Sequence, residues 1–369
     1  MPSTKLVNAN IASTSLLSSP REMLREIPLT AELINRIEGY RQSIEHILDD
    51  EDHRLLAIVG PCSIHNLEAA EEYARRLKKL GDEISDTVCI LMRVYFEKPR
   101  TVLGWKGLIN DPYMNDTFYI GEGIRMARHF LKTLTEIGVP AATEVLDPLM
   151  PQYIGDLISW SAIGARTVES QTHREIASGI STPVGLKNST DGTLTAAING
   201  IKTAMGPHHF LGVTDEGLPA VFSTTGNPYP HLVLRGGKKP NYNKESIRFS
   251  EKALRIAKMP EQIIVDCSHA NSKKQPERQC MVTRELMKQI ENGNRSIRGF
   301  MLESNLEWGS QPMTGDPKNL KPGVSVTDAC IDWETTEEIL REVHKRYKTV
   351  IEERFTSYAG AERGNKDEE

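Results

Sequence analysis

The sequence predicts an α/β protein, a (β/α)8 TIM barrel with an N-terminal extension and an inserted β-hairpin. Eight short apolar runs alternate with segments that repeat apolar residues every three to four positions, which is the pattern of parallel β/α units. Eight such units within 369 residues fit a closed barrel of about 250 residues with insertions. An open, doubly wound sheet is the alternative. That fold usually carries a glycine-rich nucleotide loop after its first strand, and Gly60-Pro61-Cys62 is not such a loop.

The individual elements are predicted from apolar spacing and from the residues that terminate each run. A polar arm precedes a helix at 32–48, and the first strand, 55–59, ends at Gly60-Pro61. The next helix, 67–80, has apolar residues at helical spacing and ends before Gly81. Further strands are predicted at 88–95, 140–145, 162–166, 183–187, 231–235, 262–267 and 297–303. Further helices are predicted at 121–137, 148–159, 171–179, 193–205, 245–257, 277–292 and 334–353.

Two insertions interrupt the alternation. Residues 206–230 are rich in Gly, Pro and Thr with short apolar pieces between them, which indicates an added β-hairpin. Residues 305–332 contain several Pro and Gly breakers and are interpreted as an active-site loop. The predicted organisation is an N-terminal arm and helix (1–50), a catalytic barrel (51–354) and a flexible polar tail (355–369).

Composition excludes several classes of protein. A net charge of −5 and an isoelectric point near 6.1 argue against a nucleic-acid-binding protein, which would carry a basic surface. The sequence has no apolar run of the ~20 residues that a membrane span needs and no signal-peptide core. Five cysteines without a CxxC pair are expected to be reduced thiols. We therefore expect a cytoplasmic protein that binds neither nucleic acid nor membrane.

Six cationic side chains are predicted at or shortly after the strand ends. Buried cations are costly without a neighbouring anion, so each could pair with a Glu or Asp of an adjacent strand. The strand ends supply fewer acids than cations, however, which favours an anionic ligand such as phosphate or carboxylate. Two phosphorylated groups would balance the count better than one. The six residues are Arg93, Lys98, Arg100, Arg166, Lys187 and Arg235.

A second group combines one thiol, one imidazole and two carboxylates: Cys62, His269, Glu303 and Asp328. Each residue alone has an ordinary explanation, such as packing for the cysteine or a salt bridge for a glutamate. Together at one face of a barrel they match the ligand types of a divalent transition metal. Mixed sulfur, nitrogen and oxygen donors suit Mn, Fe, Co or Zn and do not suit Ca or Mg.

The motifs around these residues are similar to those of a known family. The chain resembles the type I 3-deoxy-D-arabino-heptulosonate 7-phosphate (DAHP) synthases, in particular the feedback-regulated enzymes of bacteria and fungi, from about residue 27 to 354. The matching motifs occur in order along the chain. They are Gly60-Pro61-Cys62-Ser63-Ile64-His65, Lys98-Pro99-Arg100-Thr101, Gly104-Trp105-Lys106-Gly107, Gly164-Ala165-Arg166-Thr167, Lys187-Asn188, Thr190-Asp191-Gly192-Thr193, Leu234-Arg235-Gly236-Gly237, Asp266-Cys267-Ser268-His269 and Val326-Thr327-Asp328-Ala329-Cys330.

The resemblance implies an enzyme that condenses phosphoenolpyruvate (PEP) with D-erythrose 4-phosphate and water to DAHP and phosphate, at the entry to the shikimate pathway of aromatic amino acid biosynthesis. It implies one divalent transition metal ion on Cys62, His269, Glu303 and Asp328. The erythrose 4-phosphate phosphate would lie against Lys98-Pro99-Arg100-Thr101. Lys98, His269 and Cys62 are the expected catalytic residues, with the general acid or base left open between Lys98 and His269. The expected PEP-binding residues are Arg93, Lys98, Glu144, Arg166, Lys187 and Arg235.

The resemblance also implies feedback inhibition by an aromatic amino acid and assembly as a homodimer or homotetramer. The expected effector pocket is completed by the N-terminal arm of a neighbouring subunit. Gly212, where a serine is conceivable, leaves room for a phenol hydroxyl, which favours tyrosine as the effector, followed by phenylalanine. The alternative is that these residues are only the apolar base of the hairpin. The pocket residues are Pro151, Gln152, Ser181, Phe210, Gly212 and Phe222.

Two other functions remain open at this point. A class I aldolase would use Lys187 on its strand as a Schiff-base nucleophile. A non-catalytic protein that binds phosphorylated metabolites would need the cations but not the metal ligands.

Overall fold

Eight parallel strands close into a barrel in a computed structural model that describes residues 6–101, 103–313 and 316–351. Neighbouring strands follow the order β1-β10-β9-β8-β5-β4-β3-β2. The predicted (β/α)8 fold is confirmed and the open sheet is wrong. The predicted tail, 355–369, lies outside the described residues. The barrel strands are β1 Leu55–Gly60, β2 Val88–Arg93, β3 Ala141–Glu144, β4 Trp160–Ile163, β5 Val184–Lys187, β8 Pro230–Leu234, β9 Ile263–Asp266 and β10 Ile297–Glu303.

Most helices begin at a side chain that caps their free N–H groups. Asn66, for example, accepts a hydrogen bond from the Ala69 N–H at 2.8 Å and so starts the helix after β1. The helices are α1 Pro20–Glu26, α2 Ala31–Leu48, α3 Leu67–Glu83, α4 Ile120–Ile137, α5 Met150–Ile154, α6 Gln171–Ala177, α7 Thr195–Ala204, α8 Lys244–Ile256, α9 Arg278–Glu291 and α10 Trp333–Lys348. None of these described helices is long and apolar enough to cross a membrane.

Several predicted elements are shorter in the structure. After Ile163 the chain turns, because the Gly164 carbonyl accepts the Val168 N–H at 2.9 Å, so β4 stops before Arg166. β9 stops at Asp266, whose carboxylate accepts the Ser268 N–H at 3.0 Å and bends the chain as an Asx turn. The predicted helix 148–159 consists of α5 and a short 3-10 turn, Gly155–Leu157.

The barrel interior is apolar through most of its depth. On each strand, alternate residues point inward, and these inward residues form one buried cluster that includes Leu56, Ile58 and Trp160. Helix α2 covers the amino end of the barrel with Ile44, Ile47 and Leu48. The outward-facing residues pack against the surrounding helices in a second, larger cluster.

The insertion after α7 is the predicted β-hairpin. Its strands, β6 His209–Val213 and β7 Pro219–Ser223, pair antiparallel outside the barrel sheet. The turn between them contacts the N-terminal segment of the same chain, because Arg21 forms ion pairs with Asp215 at 2.8 Å and Glu216 at 2.6 Å.

Candidate active site

A layer of charged side chains occupies the carboxyl ends of six barrel strands. Each of these residues occupies an inward-facing position, either at the end of its strand or one residue beyond the end. The six residues are Arg93, Glu144, Lys187, Arg235, Asp266 and Glu303. Three are cationic and three are acidic. This layer by itself has no excess of cations, because it includes Asp266, which was not predicted as a functional residue. The excess comes instead from cations in the loops above.

Two buried ion pairs hold part of this layer together. Arg93 Nη2 lies 3.1 Å from Glu303 Oε1, and Lys187 Nζ lies 3.0 Å from Asp266 Oδ2. Burial alone would raise the pKa of Glu303, but the charges of His269, Arg93 and Lys98 hold this pKa below its ordinary value. Both carboxylates, and the two cations they face, are charged. Internal pairing, the alternative considered for each cation, applies to these two.

Arg93 nevertheless has spare donors. Its side chain is completely buried, and its Nε and Nη1 atoms have no hydrogen-bond partner among the described residues. The hydroxyl of buried Tyr95 also has none, and the Tyr95 ring faces three cations at 4.1 Å (Arg93), 5.7 Å (Lys98) and 5.9 Å (Lys187). Unpaired buried donors are costly. A bound anion would satisfy such donors.

Three of the four predicted metal ligands come together beside Arg93. Ligand atoms of Cys62, Glu303 and Asp328 lie within 4.8 Å of one another. Cys62 follows β1, Glu303 ends β10, and Asp328 belongs to the loop before α10. A thiol with two carboxylates is a donor set that fits a divalent transition metal. The loops that carry Cys62 and Asp328 are joined next to the site, since Ser63 Oγ and Thr327 Oγ1 are 2.8 Å apart.

Lys98 contacts the thiol directly. Its ammonium donates to the Cys62 carbonyl oxygen at 3.0 Å and lies 3.2 Å from Sγ. Burial alone would lower the pKa of Lys98, but the charges of Cys62 and Glu303 raise it above its ordinary value. Burial and the charge of Glu303 raise the pKa of the Cys62 thiol. The thiolate is the form that binds a metal or acts as a nucleophile, and the carboxylates of Glu303 and Asp328 beside Cys62 favour the ligand role.

His269 borders this cluster without belonging to it. Its Nε2 lies 3.7 Å from Glu303 Oε1, and its Nδ1 lies 2.9 Å from Asp266 Oδ2. The structure does not place His269 within 4.8 Å of all the other ligand atoms. Its backbone has φ +52°, a left-handed conformation that is uncommon outside glycine. Such conformations often occur at functional sites, where the surrounding structure maintains them.

The remaining predicted substrate residues lie in the loops around the layer. Arg166, Arg100 and Thr101 are exposed, whereas Lys98, Pro99 and Arg235 are half-buried. Arg100 is oriented by its own loop, since its Nε donates to the Trp105 carbonyl at 2.7 Å. Glu144 closes the layer beside Gly164, where a Cβ atom would lie 2.2 Å from a Glu144 carboxylate oxygen.

Four residues around the site were not predicted as functional from the sequence. Tyr95 lies two residues after the inward-facing Arg93, and Asp266 lies two residues after the inward-facing Ile264. This two-residue period is the signal that could have identified them. Gln279 holds the Glu303 backbone through both amide atoms, at 2.8 and 2.9 Å. Asn188 accepts the Arg235 N–H at 2.8 Å. No local sequence signal distinguishes these two amides, because their roles depend on residues from other strands.

The six predicted effector residues all line one cavity of about 450 Å³, between the hairpin and the segment around α5. Phe210 and Phe222 stack within it, with ring centroids 5.7 Å apart. A Cβ atom on Gly212 would lie 2.8 Å from two atoms of the Phe222 ring. The residues therefore form a cavity beside the hairpin as well as an apolar base for it.

A closed parallel barrel with ionisable side chains at the carboxyl ends of its strands defines a (β/α)8-barrel enzyme. Residues 29–341 match the model of the DAHP synthetase I family, and the chain belongs to this family. The predicted family and enzyme class are thereby confirmed. The family is metal-dependent, in agreement with the cluster of Cys62, Glu303 and Asp328.

Two curated relatives from Escherichia coli (strain K12) are similar over most of their length. The chain is 50% identical to the Tyr-sensitive phospho-2-dehydro-3-deoxyheptonate aldolase, over 94% of this chain and 97% of the relative. It is 49% identical to the Phe-sensitive enzyme, over 90% and 95%. A solved phospho-2-dehydro-3-deoxyheptonate aldolase from Francisella tularensis SCHU S4 is 43% identical, covers 92% of this chain and 99% of that one, and has a TM-score of 0.89.

Proposed function

We propose that this chain condenses phosphoenolpyruvate with D-erythrose 4-phosphate and water to form DAHP and phosphate. The observation that carries the proposal is the buried Arg93 guanidinium, whose two unpartnered donors lie beside the cluster of Cys62, Glu303 and Asp328. This arrangement offers an anion site next to a metal site. Family membership supports the same reaction.

PEP is held by the charged layer in this proposal. Its phosphate and carboxylate satisfy the spare donors of Arg93 and the ammonium of Lys187, and Arg166 and Arg235 approach from the loops. The Tyr95 ring stabilises the cations when no anion is present, and its hydroxyl is a further donor. The phosphate of erythrose 4-phosphate lies against Lys98, Pro99, Arg100 and Thr101, which form one side of the mouth.

Cys62, Glu303 and Asp328, with His269 beside them, would hold one divalent transition metal ion of the type Mn, Fe, Co or Zn. The ion would supply Lewis acidity at the aldehyde end of the site. In the reaction, C3 of PEP bonds to the aldehyde carbon, water adds at C2, and phosphate leaves by C–O cleavage. Lys98 is placed to deliver a proton to the new hydroxyl, because its ammonium lies 3.2 Å from Cys62 Sγ. His269 is the other candidate for proton transfer.

The Schiff-base alternative finds less support. A nucleophilic lysine needs a lowered pKa. Burial acts in that direction on Lys187, but the charges of Asp266 and Tyr95 raise its pKa above the ordinary value. Lys187 is suited to binding an anion as an ammonium ion.

Phosphate release from PEP in the presence of erythrose 4-phosphate tests the reaction. We expect release that requires both substrates, that stops when EDTA removes the metal, and that returns with Mn²⁺. Cys62→Ser is expected to lose this response. Cys280→Ser is the matched control, because Cys280 is half-buried on α9 outside the barrel. Borohydride trapping of erythrose 4-phosphate on Lys187 through its aldehyde, with EDTA-resistant turnover, would instead support the aldolase.

The cavity beside the hairpin is proposed as the effector site, with tyrosine favoured and phenylalanine second. The 450 Å³ volume suits an aromatic amino acid, and the two stacked phenylalanines offer it an apolar contact. The protein is proposed to be a homodimer or homotetramer in which the N-terminal arm of one subunit completes the cavity of its neighbour. Repeating the phosphate-release assay with Tyr, Phe and Trp identifies the effector.

A further inference from the structure

Asp266 lies between the proposed anion site and the proposed metal site. Its side chain is completely buried, one residue before the thiol of Cys267 and three before His269. Oδ2 is shared between Lys187 Nζ at 3.0 Å and His269 Nδ1 at 2.9 Å. Oδ1 accepts from the backbone N–H of Ser268 at 3.0 Å and from its hydroxyl at 2.6 Å. Every contact is thus with a cation, an imidazole or a hydrogen-bond donor.

The positions of the hydrogen atoms in this network follow from the number of donors and acceptors that each group has. Ser268 has one hydroxyl hydrogen, and at 2.6 Å it goes to the Asp266 carboxylate, which only accepts. Ser268 Oγ lies 2.8 Å from His269 Nδ1 and therefore accepts there. Nδ1 faces two acceptors, so it carries the proton. In the neutral ring, Nε2 then carries the lone pair, on the side of Glu303, whose Oε1 is 3.7 Å away.

We infer that Asp266 is a positioning residue that orients His269 and sets its tautomer, so that Nε2 is available as a metal ligand. The inference rests on the proposed function, since it assumes the metal site. A carboxylate on the remote nitrogen of a ligating histidine fixes the ring and raises its basicity. Lys187 is the counterion that stabilises this buried carboxylate, and Asp266 in turn holds the Lys187 ammonium in the charged layer.

The test is a titration of the metal-stripped protein with Co²⁺. Asp266→Asn should weaken Co²⁺ binding about 10–100-fold, the usual effect of removing such a partner. Lys187→Met breaks the other contact of the same carboxylate but keeps the carboxylate itself, so it should weaken Co²⁺ binding less than Asp266→Asn does, while PEP binding is lost. The Mn²⁺ concentration for half-maximal activity should rise in Asp266→Asn by the same factor as the Co²⁺ dissociation constant.

Asp266→Asn leaves a buried ammonium without its partner and could fold poorly. The double variant Asp266→Asn/Lys187→Met removes both charges, and we expect it to fold and to keep the loss of Co²⁺ affinity. Wild-type Co²⁺ affinity in either variant that lacks Asp266 would overturn the inference. A loss of affinity in Lys187→Met as large as that in the double variant would also overturn it. Absence of Co²⁺ binding by the wild-type protein would overturn the proposed metal site, and the inference with it.

Discussion

The two ends of the barrel interior are built from the same strands but have opposite chemistry. At the amino end, Ile44 and Leu48 of α2 seal an apolar interior against Leu56 and Ile58 of β1. At the carboxyl end, six strands carry a charged residue of the layer at their last inward-facing position. The residues directly below that layer are Leu91, Ala142, Gly185, Val233, Ile264 and Met301. One alternate position thus separates the apolar interior of the barrel from its charged layer.

Cavity volume does not identify the candidate active site at the carboxyl end. A cavity of about 990 Å³ lies toward the amino end, between the segments around α8 and α9, and its lining contains charges of both signs, including Arg248, Glu251 and Lys288. Its lining contains no cysteine, and the only group of possible metal ligands among the described residues is Cys62, Glu303 and Asp328 at the carboxyl end. The chemistry of the lining residues, rather than the space they leave, marks the site.

Lys187→Ala should have the largest effect on PEP binding and stability, because it removes one charge that belongs both to the charged layer and to a buried ion pair. We expect PEP binding to weaken by about 2–5 kcal/mol and the free energy of unfolding to fall by about 3–5 kcal/mol, since Asp266 loses its ammonium partner. Phosphate-release kinetics and urea unfolding measure the two effects.

Arg166→Ala is the matched comparison within the anion site. Arg166 is exposed and forms no ion pair with another described residue, so activity should fall sharply while the free energy of unfolding changes by no more than about 0.5 kcal/mol. Equal losses of stability in the two variants would contradict the distinction between paired and spare cations.

Ile44→Ala tests the amino end. Ile44 is fully buried on α2 against the barrel interior, and its truncation should lower the free energy of unfolding by about 2–5 kcal/mol. The KM for PEP should be unchanged in the folded protein, because the cavity forms at the opposite end. A raised KM would show that the two ends are coupled.

The raised pKa of Glu97, next to Lys98, predicts that the free energy of unfolding depends on pH. Burial, together with the charges of Asp147 and Glu144, raises the pKa of Glu97 to about 8 from an ordinary value of 4.5. Between these two pH values the unfolded chain loses a proton that the folded chain keeps, so stability falls as pH rises from 4.5 to 8. Glu97→Gln should remove this slope and be more stable than the wild type at pH 8, by at least about 1 kcal/mol. Urea unfolding at several pH values measures it, and parallel curves for the two proteins would rule the effect out.

Gly212→Ser should have the smallest effect, confined to regulation. The new side chain would displace the Phe222 ring, which a Cβ atom already approaches to 2.8 Å. If the proposed effector site is correct, the reduced space should shift its preference from tyrosine toward phenylalanine by about tenfold. Turnover without effector should stay the same. Val221→Ser on the exposed face of the hairpin is the control. An unchanged ratio of the two inhibition constants in Gly212→Ser would argue against this choice of effector.

Much of the fold and part of the site could be predicted from local patterns. The eight strands, the hairpin and α2 follow from apolar spacing, and Arg93, Lys187 and Glu303 were recognised because each ends an apolar run. Asp266 was missed because its strand was predicted to run one residue further, to Cys267, which hid Asp266 as the residue that ends it. The Asx turn at Asp266 depends on a side-chain hydrogen bond, which apolar spacing does not report.

The sequence by itself determined the strand that Arg93, Lys187 and Glu303 each end and the face that each occupies, because both depend on neighbours only a few positions away. Family membership also follows from short motifs in order. Only the tertiary structure decided which charges neutralise each other and which donors stay free. Arg93 and Glu303 are 210 positions apart, and whether they pair depends on barrel closure, since β1 joins β2 to β10. The left-handed turn at His269 likewise directs one ring nitrogen to Asp266 and the other toward Glu303, a geometry set by backbone angles and packing.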